Sequence, residues 1–271
     1  MEESGGFLED GMSGGAREPG RSVASRVLAV LGAFDAAHPR LTLTEIAERS
    51  GLALSTVHRL TGELEEGQAL RRAADGRYHV GPRLWELGQL TPDPLQEIAH
   101  PWLQDLLAGT GENVHLAVRD GMEVLYVDKV HGKRAVPILS RTGSRLPLHP
   151  TGVGKALLAF EPAWFVASYL SRPLERPTPH TITEPGRLAR DLALARARGY
   201  ATTHEEMTLG SCSAAAPILV DGRPVAAVGI VVSSRRVREL RRLADPLLDV
   251  ATGISRAYQA ALAPAGPRDP R

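Results

Sequence analysis

Several windows of this chain carry side chains that can do chemistry. The most informative is Ser55-Thr56-Val57-His58-Arg59, where hydroxyl, imidazole and guanidinium donors stand almost side by side. Donors of these types suit base edges and phosphate oxygens, and the planar fork of arginine suits them best. Gly152-Val153-Gly154-Lys155 suggests a phosphate loop, but that loop needs Gly at 149 and Ser or Thr at 156, where the chain has His149 and Ala156. A dinucleotide fingerprint needs Gly at 157 and meets Leu157. His204-Glu205 lacks the second histidine of a zinc-protease helix, since Thr208 stands there. Gly210-Ser211-Cys212-Ser213 is no nucleophile elbow, and no base for Cys212 is evident in the sequence. A lone cysteine is more often a small buried hydrophobe. These mismatches argue against an enzyme, a metal centre and a cofactor.

The donors at 55–59 need a frame, and the flanking residues supply one. Ala47, Gly51 and Val57 stand four and six residues apart. A helix-turn-helix needs this pattern: a small residue where two helices cross, a glycine for the left-handed turn and an apolar wedge. Thr42-Leu43-Thr44-Glu45 has capping-box spacing and starts the first helix, and the second runs over about 54–66. The second helix would present its N-terminal residues to a major groove. Glu63, Glu65 and Glu66 lie later on it and are expected to point away from DNA. Beyond Gly67, Leu70-Arg71-Arg72 and Arg77-Tyr78-His79-Val80 flank Asp75-Gly76, a hairpin signal that makes a wing. The competing reading is a helical interaction module beside a ligand-binding or scaffolding domain, with its arginines merely solvated.

Composition bounds the whole. The chain has 271 residues, 43% hydrophobic, with 32 basic against 31 acidic side chains. That is enough for one large or two small domains with a real core. No apolar run approaches the roughly 20 residues of a membrane helix, and no secretory signal is visible. The single cysteine forbids an internal disulfide, so a cytoplasmic home is expected. Lysine occurs only at Lys129, Lys133 and Lys155, a bias that genome composition explains. Residues 21–90 carry nine basic against eight acidic side chains. DNA affinity must therefore come from placed arginines rather than from a broad positive field.

Residues 1–20 are acidic, Gly-rich and expected to be a disordered tail, as is 263–271. The winged helix-turn-helix is assigned to 21–82, a linker helix to 83–94 and a second domain to 95–262. In that domain an amphipathic helix opens at Leu95, and strands are read at 113–118, 122–128, 134–140, 213–219 and 224–232. Helices are read at 152–160, 162–170 and 184–198, and a last one carries an apolar stripe from Val237 to Tyr258. The mixture is α+β.

At this point a resemblance can be stated. Leu43 to Leu52 followed by Ser55-Thr56-Val57-His58-Arg59-Leu60 resembles the reading domain of IclR-type transcriptional regulators. So does the wing ending Gly76-Arg77-Tyr78-His79-Val80-Gly81. Leu146-Pro147-Leu148-His149-Pro150-Thr151-Gly152-Val153-Gly154-Lys155-Ala156 is similar to the family's central signature, and Glu205 to Gly210 running into Ala215-Ala216-Pro217-Ile218 to its C-terminal one. The resemblance spans about 21–262. It implies an N-terminal winged helix-turn-helix joined to a C-terminal GAF-like α+β sensor of small organic effectors. It also implies homodimers or dimers of dimers on double-stranded operator DNA. The apolar faces of the helix at 21–38 and of the linker helix are candidate dimer contacts or, equally, close the domain core.

The expected DNA contacts are Thr44, Ser55, Thr56, His58, Arg59, Arg71, Arg72 and Arg77. The implied effector pocket comprises Gly152 and Val153 at a helix start, Thr203, Leu209 and Ser213 around a loop, and Gly229 and Val231 on the last strand. An equal alternative is that Gly152 and Gly154 only let the helix pack tightly on the sheet. The family's last strand often shows Ser-x-Ser where this chain has Gly229-Ile230-Val231. That departure predicts a less polar or larger effector, or none. Leu54 and Gly62 also depart from the usual reading helix, with the glycine costing about 1 kcal/mol.

Overall fold

The computed structural model describes residues 22–35, 37–88, 90, 94–132 and 140–263. The chain divides into two compact units, Met1–Leu90 and Thr91–Arg271. The expected tails and most of the strand read at 134–140 lie outside the described residues.

The first unit is built from α1 (Val23–Leu31), α2 (Leu43–Ser50), α3 (Leu54–Glu66), β1 (Leu70–Arg72), β2 (Tyr78–Val80) and α4 (Pro82–Gly88). Thr42 and Glu45 close a reciprocal capping box on α2, and Gly51 ends it at φ 67°, a conformation that favours glycine. Gly76 turns the two-stranded hairpin at φ 79°. Val30, Ile46, Val57, Leu60, Leu70 and Tyr78 form the buried centre. Leu41 bridges to Tyr78, so the chain entering α2 is tied to the wing. α1 ends at Leu31, before the Phe34 of the expected helix, and α4 is seven residues long and belongs to this unit.

The second unit is one antiparallel sheet of six strands with helices on both faces. The strands are β3 (Asn113–Asp120), β4 (Glu123–Val130), β5 (Arg145–Pro147), β6 (Ala201–His204), β7 (Ser211–Val220) and β8 (Arg223–Ser233), in the order β5-β4-β3-β8-β7-β6. The Asp-Gly turns fall where expected: Gly121 has φ 61°, and Asp221 and Gly222 have φ 50° and 75°, which close the β7–β8 hairpin. β5 and β6, three and four residues long, escaped the sequence reading.

Alternation along the strands creates two cores. Val114, Leu116, Ala214, Ala216, Val228 and Ile230 face α5 (Leu95–Thr110) and α9 (Leu240–Leu262). Ala117, Tyr126, Ala215 and Ala227 face α6 (Gly152–Phe160), α7 (Ala163–Leu170) and α8 (Pro185–Arg198). Small residues bring helix and sheet close. A Cβ on Gly253 of α9 would lie 2.4 Å from the Trp102 ring of α5. One on Gly154 would lie 2.1 Å from the Leu148 carbonyl oxygen, and one on Gly152 2.4 Å from Ser213 Oγ.

Candidate DNA-reading face and effector pocket

In the first unit, α3 starts without a side-chain cap: Ala53 holds the N-cap position and offers no hydrogen bond. Its first-turn amides therefore remain available to an anion such as a DNA phosphate. Ser55, His58 and Arg59 are exposed on this helix and Thr56 is half-buried, while Val57 and Leu60 point into the core. Thr44 is exposed on α2, and Arg71 and Arg72 are exposed on the wing. Arg72 also lies over the Tyr78 ring, 5.6 Å from its centroid.

Two of the expected DNA contacts are paired with carboxylates. Arg59 donates to Glu63, one helical turn later on α3. Both side chains are 55% exposed. Such a pair is worth about 0.3–0.5 kcal/mol and yields readily to a phosphate. Arg77 on the wing is paired in the same way. Its Nη1 donates to Glu45 Oε2 at 2.9 Å and to the Arg40 carbonyl. Glu45 is the capping-box acid, and its carboxyl is held below the usual range, first by the Thr42 amide. Arg77 thus locks the wing onto the start of α2.

In the second unit, six strands and one helix start converge on a small cavity of about 50 Å3. Its described lining includes Gly152, Val153, Thr203, Ser213, Gly229 and Val231, six of the seven residues implied by the resemblance. Leu209 is not among them: it is 60% exposed. The reason is the geometry of its loop. Glu205 turns at φ 56° and Gly210 at φ 80°. Lys155 Nζ holds Glu206 at 2.7 Å, while the Thr178 and Thr181 hydroxyls donate to the Glu205 and Glu206 carbonyls, each at 2.6 Å. So anchored, the loop turns Met207 and Thr208 to the cavity and leaves Leu209 outside.

The sequence reading missed His115, Tyr126, Ser140 and Ser211, which also line the cavity. Period-two alternation on β3 and β4 was the available signal for His115 and Tyr126. His115 is buried against the Tyr126 ring edge, with centroids 5.5 Å apart. Burial, aided by Lys129 and His131, pushes its imidazole down to about 3, so it is neutral. Burial also pushes the Tyr126 phenol up, so it too stays neutral. Thr203 and Ser213 hydroxyls share a hydrogen bond of 2.6 Å.

Thr151 caps α6 by accepting from the Gly154 amide, and the amides of Gly152 and Val153 have no protein acceptor among the described residues. Gly152 thus does both things weighed for it: it lets α6 touch β7, and it lines the cavity. Hydroxyls from β6, β7 and the loop replace those missing from β8, so the lining is neither apolar nor wide.

Cys212 faces away from this cavity, in the α5–α9 core. His204 Nδ1 lies 3.9 Å from its sulfur, but burial pushes the thiol up, away from the thiolate a nucleophile needs. Among the described residues no group of three His, Cys, Asp or Glu side chains could hold a metal, and no helix is long and apolar enough to cross a membrane.

A winged reading helix in one unit and a polar cavity inside an α+β sheet in the other define a DNA-binding transcriptional regulator with a ligand-binding domain. Comparison with known proteins gives the particular kind. The family model for the IclR helix-turn-helix domain matches residues 23–74, and that for the bacterial transcriptional regulator IclR C-terminal domain matches 88–256. The chain belongs to the IclR family. It is 37% identical to the HTH-type transcriptional regulator BhcR of Paracoccus denitrificans, over 79% of this chain and 80% of that one. It is 36% identical to the glycerol operon regulatory protein of Streptomyces coelicolor, over 85% and 94%. Among solved structures, an IclR homologue from Microbacterium hydrocarbonoxydans complexed with 4-hydroxybenzoate superposes with a TM-score of 0.83 at 31% identity, covering 88% of this chain and all of that one. These relatives are transcriptional regulators rather than enzymes.

Proposed function

We propose that this regulator reads a pseudo-palindromic operator as a homodimer or dimer of dimers in the cytoplasm, and that a short-chain carboxylic acid in the sensor cavity sets its activity. Ser55, Thr56, His58 and Arg59 would read base edges, with Thr44, Arg71, Arg72 and Arg77 on the backbone. A single small reading head binds weakly, which favours paired half-sites. Exposed Val23 and Leu28 on α1, and Trp85 and Leu87 on α4, offer apolar surface for pairing.

The observation that carries the ligand reading is the meeting of two uncapped α6 amides with the Thr203 and Ser213 hydroxyls in one cavity. Helix-start amides attract carboxylates, and hydroxyls select a keto or hydroxy group beside one. The related structure's 4-hydroxybenzoate is also a hydroxy acid.

The test joins a gel shift on the gene's own upstream region with calorimetry. Saturable binding of a short keto or hydroxy acid, shifting the DNA affinity and lost in Ser213→Val, is expected. Binding confined to large apolar ligands would overturn the effector assignment. Absence of any sequence preference on DNA would overturn the operator reading.

A further inference from the structure

The cavity just described uses one face of β6, through Thr203. The other face of the same strand borders a second, wider hollow of about 450 Å3, lined by Arg198, Tyr200, Thr202, His204, Val237, Arg238, Leu240 and Arg241. Three guanidiniums and an imidazole line it, together with two hydroxyls and no carboxylate.

Among the described residues no carboxylate lines it, and the acid felt by its imidazole is Glu205, next to His204 in sequence. Some arginines of this unit meet carboxylates: Arg119 meets Glu161, Arg145 meets Asp120 and Arg236 meets Glu112 and Glu239. Arg238 and Arg241 have no carboxylate partner among the described residues. Arg198 spends its donors on the Tyr200 carbonyl and the Thr202 hydroxyl, which hold its head over the Tyr200 ring, 4.9 Å from the centroid. That arrangement orients a guanidinium without neutralising it. Asp191 and Glu206 line an adjoining hollow that shares Arg198, Thr202 and His204, and there Lys155 Nζ bridges the two acids at 2.6 and 2.7 Å. Glu239, beside Arg238 in sequence, pairs with Arg236.

We propose that this hollow is a second ligand site, for a small phosphate-bearing molecule. Forked guanidiniums from the end of α8 and from the turn into α9 suit the tetrahedral, multiply charged oxygens of a phosphate or diphosphate, whereas a single carboxylate would use one fork. The Tyr200 and Thr202 hydroxyls add donors. A concave site of this size encloses a metabolite rather than a duplex. The effector cavity and this site share β6, with Thr203 on one face and Thr202 and His204 on the other, so filling either shifts the strand that lines both. The site itself does not depend on the effector reading.

The test is calorimetric titration of the full-length protein with inorganic pyrophosphate at constant ionic strength set by chloride. Saturable binding is expected, weakened about tenfold or more in Arg241→Gln and in Arg238→Gln, as loss of a charge-assisted hydrogen bond implies. Both arginines are exposed, so neither change threatens the fold. Arg223→Gln, on the β7–β8 hairpin, is expected to bind as the unaltered chain does. Heats that never saturate, unchanged affinity in both variants, or an equal loss in Arg223→Gln would overturn the proposal. So would weaker duplex DNA binding by Arg238→Gln or Arg241→Gln without pyrophosphate, because the occupant would then be DNA.

Discussion

The two units place their charges in opposite ways. In the reading unit the ionic partners are at the surface: Arg59 with Glu63 and Arg77 with Glu45 are all 40% or more exposed. In the sensor unit the central cation, Lys155, is 1% exposed and clamped between Asp191 and Glu206. Water competes for both partners of the first kind of pair but reaches the second only at Asp191, which is 26% exposed. A contact that must be exchanged for a phosphate belongs among the first. A contact that must hold a binding loop in one shape belongs among the second. The same chemistry thus serves release in one unit and fixation in the other, and burial decides which.

The largest test of that contrast is Lys155→Met. It leaves two carboxylates facing each other without a cation, one of them nearly buried, and removing one partner of a buried pair costs about 3–5 kcal/mol. The sensor transition in a thermal melt should fall accordingly while the reading unit is spared. An unchanged melt would erase the contrast.

Next comes acid. His115 keeps its neutral form down to about pH 3, whereas an unfolded imidazole gains a proton near 6.5. Between those values the unfolded state binds more protons, so stability falls as pH falls, by up to about 1.4 kcal/mol per pH unit. His115→Gln should flatten that part of a denaturation-against-pH curve.

In the reading unit the effects are smaller and concern binding. Arg59→Ala should cost about 1–3 kcal/mol on the operator and much less on unrelated DNA. Glu63→Gln should tighten binding slightly by releasing Arg59. If Glu63→Gln weakened binding instead, the pair would be a positioning device like the one in the sensor.

The smallest effect is a gain. A Cβ on Gly62 meets nothing within 4 Å, so Gly62→Ala should stabilise α3 by about 1 kcal/mol in denaturant titration.

The elements legible in the sequence were those with local causes. The capping box at Thr42, the glycine at 51 and the Asp-Gly turns act within a few residues, and their positions fell where read. β5 and β6 are too short for alternation to register. Lys155 invited comparison with a phosphate loop because its partners are remote: Asp191 and Glu206 lie 36 and 51 residues away. The cavity divides the same way. Gly152, Val153 and Ser213 sit in motifs, whereas His115 and Tyr126 reach it only through sheet pairing and Ser140 comes from outside the strands. Leu209 was misplaced because sequence marks the loop but not the anchors that turn its side chains.

The close seat of Trp102 against Gly253 has a practical consequence. The chain has three tryptophans. Trp85 in the first unit and Trp164 on α7 are 68% and 72% exposed, and Trp102 alone is packed between helices. Its indole should fluoresce at shorter wavelength and resist acrylamide quenching, while the other two emit as solvated rings. Replacing Trp85 and Trp164 by phenylalanine would leave a native optical reporter of the α5–α9 seam, with no dye attached. Leaving Trp85 alone would give the matching reporter for the reading unit.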